Sequence, residues 1–558
     1  MHSVKGSNWE EKDKTFWIDA LLLVMLAFLI VSIVILSCVP PISKDALVHH
    51  LAVPKLYLKH GGIYEIPFMP FSYYPMNLDL LYLIPLYFGD DIVPKFIHFS
   101  FALLTACLIF GYLKRRINAI YALLGAIFFL SIPIIVKLSI TVYVDLGLIF
   151  FSTASLLLLL KWLESGFQLK FLVLSAIFCG LAMGTKYNGL ITFFLLILFV
   201  PFIYSRYAQG KKHGFFKSAG QGVIFLFITL LVFSPWMIRN YLWINNPIFP
   251  FYDHWFNPQN AINRQTVGLF TYRSLVYHET WWQMAFLPVR VFFQGQDGNP
   301  QYFDGKLNLF LLVFPFFAFY RIRKDPQVLR NQKKIILAFA GLFFASAFFS
   351  SGMRARYISP MIPPLVLLSV FGVRKMLEVI SELGARYLRN VGFAAIFLIL
   401  PFSFWLNACY ILDQYKYVDP FSYLDGSLSR DEYIDKYRLE NPAMRYMNEN
   451  LPHDARILFI FIGNRGYYCD REYVFDMNKD RSTLGQLVKM SDKPEKIVGG
   501  LKEMGITHLL VNHDIFNKWV KDNFTTKERV LLGKFFESHT RLDYLKWGYG
   551  VSRLENLD

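Results

Sequence analysis

Long apolar blocks separated by short polar segments dominate the chain up to about residue 411. Each block runs for roughly 16–23 residues, close to the length that an α-helix needs to cross a bilayer. The sequence therefore predicts a polytopic α-helical membrane protein with about eleven transmembrane helices. We place these spans at 17–38, 91–112, 118–136, 142–161, 171–185, 188–205, 219–237, 306–321, 334–351, 357–373 and 391–411.

Two regions depart from this pattern. The apolar piece Leu78–Phe88 is too short to span a bilayer and is interpreted as an interfacial or re-entrant helix. After about residue 412 the chain is charged, and the short β-like runs "ARILFIFI", "REYVFDM" and "THLLVNH" alternate with helical stretches such as "STLGQLVKM". We therefore predict a membrane domain over 1–411 and a small α/β domain over 412–558.

Composition and charge narrow the class of protein further. Of the 558 residues, 55% are hydrophobic, and the formal net charge is +16. Lys and Arg cluster in short loops between apolar blocks, as at Lys114–Arg116 and Arg321–Lys334, so the positive-inside rule explains the charge better than nucleic-acid binding does. The five Cys residues show neither a CxxC pair nor a zinc-site spacing, so neither a disulfide framework nor a Cys metal site is indicated.

The basic loops also predict how the chain lies in the membrane. Because the basic side is cytoplasmic, an odd number of spans places the N-terminus inside and the C-terminal domain outside. The loops 39–90 and 239–305 are then expected on the outer face. We predict an integral protein of the bacterial inner (plasma) membrane.

Acids at the outer ends of apolar segments are the first candidates for chemistry. Asp45 opens a short helix predicted over 46–53, which Pro54 kinks or ends, and it either caps that helix or serves as a general base or metal ligand. Asp145 begins an apolar helix, where a carboxylate needs a partner or is favoured by the helix dipole. Asp79 lies in the short interfacial helix, facing either the surface or a substrate. We expect Asp45 and Asp145 to converge on one outer cavity as catalytic residues.

Two histidines follow Asp45 along the same predicted helix. His49 is four residues further on and shares a face with Asp45, which makes the two an incomplete candidate pair for a metal ion. His50 points away from that face and is a candidate for substrate binding, with a solvated interfacial histidine as the alternative. The metal requirement stays open, and a divalent metal ion is the only cofactor that these residues indicate.

Four cations are expected on the outer face, against the charge trend of the chain. They are Lys186, Arg239, Arg354 and Arg356, and Tyr357 follows directly in the same motif. Cations beside Tyr and Trp suit an anionic lipid headgroup, because the guanidinium of Arg binds phosphate with two parallel hydrogen bonds. The alternative is that each cation is only an anchor that reaches back to the membrane interface.

Six motifs in order resemble the GT-C superfamily of integral-membrane glycosyltransferases. They are "DALVHHL", "YYP", "VYVDLGLIFF", "GLAMGTKYNGL", "SPWMIRN" with "NPIFPF", and "RARYISP". The resemblance is strongest to bacterial relatives of the protein O-mannosyltransferases and of the lipid A aminoarabinose transferase (glycosyltransferase family 39-like). It covers about residues 16–411, with a matching outer domain behind it.

The resemblance implies a function and roles for several residues. A sugar would pass from a polyprenyl-phosphate carrier to a protein, lipid or glycan of the cell envelope on the outer face, with inversion at the anomeric carbon. Asp45 would be the catalytic acid of the first loop and Asp145 that of the second. The lipid phosphate would be contacted by Arg239, Arg354 and either Lys186 or Arg356. Ala46 stands where an acidic residue is common in those relatives, so their acceptor and metal do not carry over.

Three alternatives stay open at this point. They are a transporter or flippase of a lipid-linked sugar, a cell-envelope polysaccharide polymerase or ligase, and a non-catalytic envelope scaffold. Transporters carry charges near the bilayer midplane in repeated halves, whereas the acids here lie at outer ends and no repeat is visible. An outer α/β domain fused after the last span argues against a polymerase or ligase. The sugar and the acceptor are not given by the sequence.

Overall fold

The computed structural model describes residues 5–208, 215–258, 268–350, 352–476 and 482–555, with side-chain surroundings from Phe16 onward. Met477, the last residue of the second predicted β-like run, lies outside them. The chain divides into two compact units. The first unit comprises Met1–Cys38, Tyr73–Leu81 and Val93–Pro420, and the second comprises Val39–Ser72, Tyr82–Ile92 and Phe421–Asp558.

Helices make up most of the described chain. In chain order they are α1 (Lys5–Ser37), α2 (Ala52–His60), α3 (Asn77–Tyr87), α4 (Val93–Arg116), α5 (Ala119–Ser131), α6 (Pro133–Ser139), α7 (Asp145–Glu164), α8 (Leu169–Thr185), α9 (Gly189–Tyr207), α10 (Phe215–Ile244), α11 (Asp253–Phe256), α12 (Leu269–Tyr277), α13 (Trp281–Ala285), α14 (Leu287–Arg290), α15 (Phe310–Phe317), α16 (Gln327–Ser350), α17 (Ile362–Ser381), α18 (Arg386–Val418), α19 (Pro420–Leu424), α20 (Arg430–Tyr437), α21 (Asn441–Asn450), α22 (Thr483–Met490), α23 (Pro494–Glu503), α24 (His513–Asn523) and α25 (Thr526–His539). A π-helical turn covers Ala46–His50, and a 3₁₀ segment covers Ala355–Met361.

Seven helices of the described residues are long and apolar enough to cross a membrane: α1, α4, α7, α9, α10, α16 and α18. An eighth span forms if α5 and α6 are counted together, although they meet at an angle of 67°. Pro133 opens α6 and cannot donate a helical hydrogen bond, which explains the break. The polytopic helical membrane protein is therefore confirmed, whereas the count of eleven is not. A helix occurs at each predicted span, but α15 has only 8 residues.

Small residues bring α7, α8 and α10 close together. The Ser155 and Ser175 hydroxyls each donate to the other residue's backbone carbonyl at 2.8 Å across the α7–α8 contact. Gly180 of α8 lies so near α10 that a Cβ atom would stand 2.6 Å from Val232. Membrane helices associate through such small side chains and interhelical hydrogen bonds, since lipid supplies no hydrophobic force between them. This packing fixes the first residue of α7 beside the last turn of α8.

A five-stranded sheet forms the core of the second unit. Its strands are β1 (Arg456–Ile460), β2 (Glu472–Phe475), β3 (His508–Asn512), β4 (Thr540–Lys546) and β5 (Tyr549–Leu554). Their order is β2-β1-β3-β5-β4, with β1 parallel to β2 and β3, and β5 antiparallel to β3 and β4. Helices α22, α23 and α25 pack with β1 and β3 in one apolar cluster. The expected C-terminal α/β fold is therefore confirmed, with two strands more than the sequence predicted.

Candidate functional site

An ion pair between Lys186 and Asp145 lies at the centre of the site in the first unit. Asp145 is the first residue of α7, and Lys186 follows the last residue of α8. The Lys186 Nζ atom stands 2.6 Å from Asp145 Oδ1. Asp145 is fully buried, and 20% of the Lys186 side chain is exposed. The second carboxylate oxygen, Oδ2, is buried and makes no hydrogen bond within the described part of the chain.

His98, which was not among the predicted site residues, orders the turn that precedes Asp145. Its Nδ1 atom lies 2.9 Å from the carbonyl oxygen of Thr141, and the backbone N–H of Leu146 donates to Nε2 at 3.0 Å. Because Nδ1 must donate and Nε2 must accept, this buried imidazole is neutral with its proton on Nδ1. A polar residue inside the apolar helix α4 was the signal that could have found it.

Arg356 and Tyr357 belong to the 3₁₀ segment and lie beside this ion pair. The Arg356 guanidinium lies over the rings of Tyr143 and Tyr357, 5.2 and 5.3 Å from their centroids. Lys186 Nζ lies 5.4 Å from the centroid of the same Tyr357 ring. The charge of Arg356 also acts on Asp145. The structure thus gathers two cations, one buried carboxylate and two phenol rings.

Arg239 is held near the end of α10 by aromatic rings and backbone. Its guanidinium lies over the indoles of Trp236 and Trp243, 4.6 and 4.9 Å from the ring centroids. Nη2 donates to the carbonyl oxygen of Tyr74 at 3.1 Å and to Asn240 Oδ1 at 2.8 Å. The contact with Tyr74 links the "SPWMIRN" and "YYP" motifs, which are far apart in sequence.

Tyr74 connects Arg239 to the group that contains Lys186, Arg356 and Tyr357. Its ring packs edge-on against Tyr187, with 5.3 Å between centroids, and the Tyr187 hydroxyl donates to the carbonyl oxygen of Phe249 at 2.6 Å. Burial raises the pKa of Tyr74, and its neighbour Tyr357 adds to the effect. Burial also raises the pKa of Tyr187 against the opposing charge of Arg239. Both phenols therefore keep their protons at neutral pH.

Arg354 points into a different network. Its Nη1 atom lies 3.6 Å from Asp304 Oδ2. Lys137 Nζ lies 3.3 Å from Asp304 Oδ1 and 3.1 Å from Asp297 Oδ1, and the Tyr410 hydroxyl donates to Asp297 Oδ2 at 2.6 Å. Within the "RARYISP" motif, Arg354 therefore faces a carboxylate network, whereas Arg356 lies over tyrosine rings. Nothing in the sequence pattern indicated the partners of Arg354.

Asp79 belongs to the first unit and lies in the first turn of α3. Only 2% of the residue is exposed, so the surface-facing alternative is wrong. The neighbouring Leu78 fills the space above Gly147 of α7, where a Cβ atom would stand 2.6 Å from a Leu78 methyl group. This contact fixes α3 against the helix that begins at Asp145.

Asp45 belongs to the second unit and precedes the π-helical turn Ala46–His50. Its carboxylate makes no capping hydrogen bond, so the expectation that it only caps a helix is wrong. Pro54 lies in the first turn of α2, where the missing N–H costs no helical bond. Pro54 therefore does not end the helix, and the helix predicted over 46–53 is instead a π turn followed by α2.

His49 and His50 lie within that turn. The His49 ring stacks on Phe71 with 4.6 Å between centroids, and the two imidazoles are 3.9 Å apart. His50 is buried, with 6% exposed, so a solvated histidine at this position is wrong. No group of three or more His, Cys, Asp or Glu that could hold a metal ion occurs in the described residues. A metal at Asp45 and His49 stays a prediction.

Comparisons with known proteins match the membrane region and the whole fold. Residues 67–245 match the family described as dolichyl-phosphate-mannose-protein mannosyltransferase. Apo ArnT from Cupriavidus metallidurans is similar with a TM-score of 0.56 and 14% identity, over 97% of this chain and 98% of that chain. ArnT bound to undecaprenyl phosphate gives a TM-score of 0.55 and 14% identity, over 96% and 98%. The apo oligosaccharyltransferase of Archaeoglobus fulgidus gives 0.51 and 12% identity, over 88% of this chain and 70% of that chain.

The search of curated protein sequences gives no match. The matches nevertheless show an integral membrane protein that shares the fold of ArnT and of the archaeal oligosaccharyltransferase, in agreement with the sequence resemblance. The chain is similar to ArnT in fold and to the mannosyltransferase family over residues 67–245. At identities of 12–14%, the structural similarity to these proteins establishes the shared fold alone.

Proposed function

We propose that this protein transfers a sugar from a polyprenyl-phosphate carrier to a protein, lipid or glycan of the cell envelope. The observation that carries the proposal is a group of three cations: Lys186 and Arg356 lie over the Tyr357 ring, and Arg239 donates to the carbonyl oxygen of Tyr74, the neighbour of Tyr357. Cations held by aromatic rings at the ends of apolar helices suit a phosphate whose lipid tail stays in the bilayer. ArnT, which shares the fold, was crystallised with undecaprenyl phosphate, a carrier of this class.

The cations act on the phosphate while the donor bond breaks. As the bond between the anomeric carbon and the phosphate oxygen breaks, negative charge develops on the phosphate. Positive groups fixed in advance stabilise that charge more in the transition state than in the ground state. In this proposal Asp145 is a positioning residue, because it is fully buried and its Oδ1 atom holds Lys186.

Asp45 supplies the base in this proposal. Its carboxylate takes the proton of the acceptor's nucleophilic group as that group bonds to the anomeric carbon, and the lipid phosphate leaves from the opposite face. Attack in this direction inverts the anomeric centre. The resemblance of the first-loop motif supports the assignment. No step is assigned to a metal ion.

The orientation of the chain is part of the proposal. The basic loops support an orientation with the N-terminus in the cytoplasm and the C-terminal domain on the outer face of the bacterial inner membrane. Lipid-carried sugar and envelope acceptor would then meet at the outer surface. Labelling of single cysteines introduced into the loops on either side of the membrane, with a membrane-impermeant reagent, tests this orientation.

Binding of undecaprenyl phosphate to the purified protein tests the phosphate site. We expect Lys186→Met and Arg356→Gln to lose binding by native mass spectrometry while they remain folded. Arg321→Gln is the matched control, because Arg321 lies in the same unit, is exposed and pairs with Glu382. Binding by both cation variants at the wild-type level would place the phosphate elsewhere.

A further inference from the structure

Backbone groups on both sides of Asp45 are held by the C-terminal part of the second unit. The Tyr468 hydroxyl donates to the carbonyl oxygen of Pro41 at 2.7 Å, and the Arg438 guanidinium donates to that of Ile42. On the other side, the backbone N–H of Tyr467 donates to the carbonyl oxygen of Leu47 at 3.3 Å. Residues far along the chain therefore fix the ends of the segment that presents the Asp45 carboxylate.

Tyr467 is itself fixed by two further contacts. Lys55 Nζ donates to the Tyr467 carbonyl oxygen at 2.7 Å and to Asp470 Oδ1 at 2.6 Å. The Tyr467 hydroxyl donates to Asp91 Oδ2 at 3.1 Å, and Arg430 Nη2 lies 2.6 Å from the same oxygen. Tyr467 and Asp91 are both buried, so the hydrogen bond between them is shielded from water.

The turn they support is an uncommon one. Leu51 N–H donates to the carbonyl oxygen of Ala46 at 2.9 Å, which is the wider i to i+5 spacing of a π-helix. Such single turns are rare and occur frequently at functional sites. The hydrogen bond from Tyr467 reaches Leu47 inside this turn. The external contacts therefore stabilise a local geometry that an isolated helix would not keep.

We propose that Tyr467, Tyr468 and Arg438 are positioning residues that set the Asp45 carboxylate for proton transfer. The C-terminal domain is then a working part of the transferase. This inference rests on the proposed role of Asp45 as the base. Misplacing a reacting group by about 1 Å costs up to ~100-fold in rate. The loss of one hydrogen bond displaces the turn less, and we expect a decrease of about five- to tenfold.

The test compares Tyr468→Phe with Tyr544→Phe in the full-length protein. Tyr544 is the matched control, because it lies on β4 of the same unit and its ring stacks on Tyr446, 4.6 Å between centroids. We expect Tyr468→Phe to slow sugar transfer about five- to tenfold, with no change in binding of undecaprenyl phosphate. Hydrogen exchange of residues 41–50 should rise in Tyr468→Phe and stay unchanged in Tyr544→Phe.

A double variant separates positioning from general stability. In an Asp45→Asn background, Tyr468→Phe should cause no further loss of transfer, because it acts through the base. An equal loss in both backgrounds, or a Tyr468→Phe protein with wild-type transfer and exchange, would overturn the inference while leaving the proposed function standing. Full activity of Asp45→Asn alone would overturn both. Arg438→Lys repeats the comparison if Tyr468→Phe does not fold.

Discussion

Lys186 Nζ stands 2.6 Å from Asp145 Oδ1, where α7 begins and α8 ends. The carboxylate is fully buried and its second oxygen has no hydrogen-bond partner in the described residues, so the lysine is its principal compensation. The ion pair holds the Lys186 ammonium near the ring of Tyr357, over which the Arg356 guanidinium also lies. This geometry supports a phosphate-binding role for Lys186.

Removing the lysine should destabilise the protein more than removing both partners. Lys186→Met leaves a buried carboxylate without its partner, which typically costs about 3–5 kcal/mol of unfolding free energy. The double variant Lys186→Met with Asp145→Asn should recover most of that loss without recovering binding of undecaprenyl phosphate. Thermal unfolding in lipid nanodiscs measures the first effect. Equal unfolding temperatures of the single and double variants would contradict the buried pair.

The two arginines of the "RARYISP" motif should respond differently to replacement by lysine. Arg356→Lys loses the flat guanidinium that lies on Tyr143 and Tyr357, so the affinity for undecaprenyl phosphate should fall about tenfold. Arg354→Lys should change that affinity less, because Arg354 faces Asp304. Titration of each variant with the lipid by native mass spectrometry compares them. A larger loss in Arg354→Lys would reverse the assignment.

A buried acid between two arginines should make the stability of the segment around Glu279 depend on pH. Glu279 bonds to Arg273 at 2.6 Å and to Arg290 at 3.0 Å. Burial raises the pKa of Glu279, but the hydrogen bonds and charges of the two arginines outweigh it and hold the pKa below its usual range. The stabilisation is therefore complete above the unfolded pKa of about 4.3 and is lost as the pH falls through the lower folded value.

Glu279→Gln isolates this contribution. At pH 7 the free energy of unfolding of the variant should be about 3 kcal/mol lower than that of wild type, because two buried guanidinium groups lose their anion. The difference from wild type should shrink as the pH falls below the unfolded pKa of about 4.3 and vanish once the folded carboxyl is protonated as well. Chemical unfolding at several pH values measures it. A difference that stays constant down to pH 3 would refute the ion triad.

Asp476 in the second unit should show the opposite dependence on pH. Burial raises its pKa to about 6, against the hydrogen bonds from Ser482, Leu484 and Thr483. Its contribution to stability is therefore complete below the unfolded pKa of about 3.9 and is lost as the pH rises through about 6. Amide exchange in α22, corrected for intrinsic rates, should show weaker protection at pH 7 than at pH 5. Asp476→Asn should remove that difference, and an identical dependence in both proteins would contradict it.

The membrane helices could be predicted from the sequence, because their apolar blocks are long enough to be unambiguous. It could not count the spans, since α15 is short and α5 and α6 break at a proline. It also missed β4, whose residues are mostly exposed and show no clean alternation. Lys186, Arg356 and Tyr357 were singled out one by one from their motifs, but the Asp145 ion pair and the supporting ring of Tyr74 depend on distant contacts.

His98, Tyr467 and Tyr468 were not predicted for the same reason. Each acts through backbone groups, and a hydrogen bond to a carbonyl oxygen leaves no pattern in the sequence. The π turn after Asp45 was also not predicted, because the sequence of Ala46–His50 does not distinguish a π turn from an α-helix. Local patterns therefore predicted the charged side chains, whereas the residues that position them required the fold.

The most direct test of the account is a comparison of envelope glycans, glycolipids and glycoproteins by mass spectrometry. Cells that lack the protein are complemented with wild type or with Asp45→Asn at matched expression, and folding of the variant is checked by its thermal unfolding. We expect that one sugar modification is missing without the protein, returns with wild type and does not return with Asp45→Asn. Return of that sugar with Asp45→Asn, or no missing sugar at all, would contradict it.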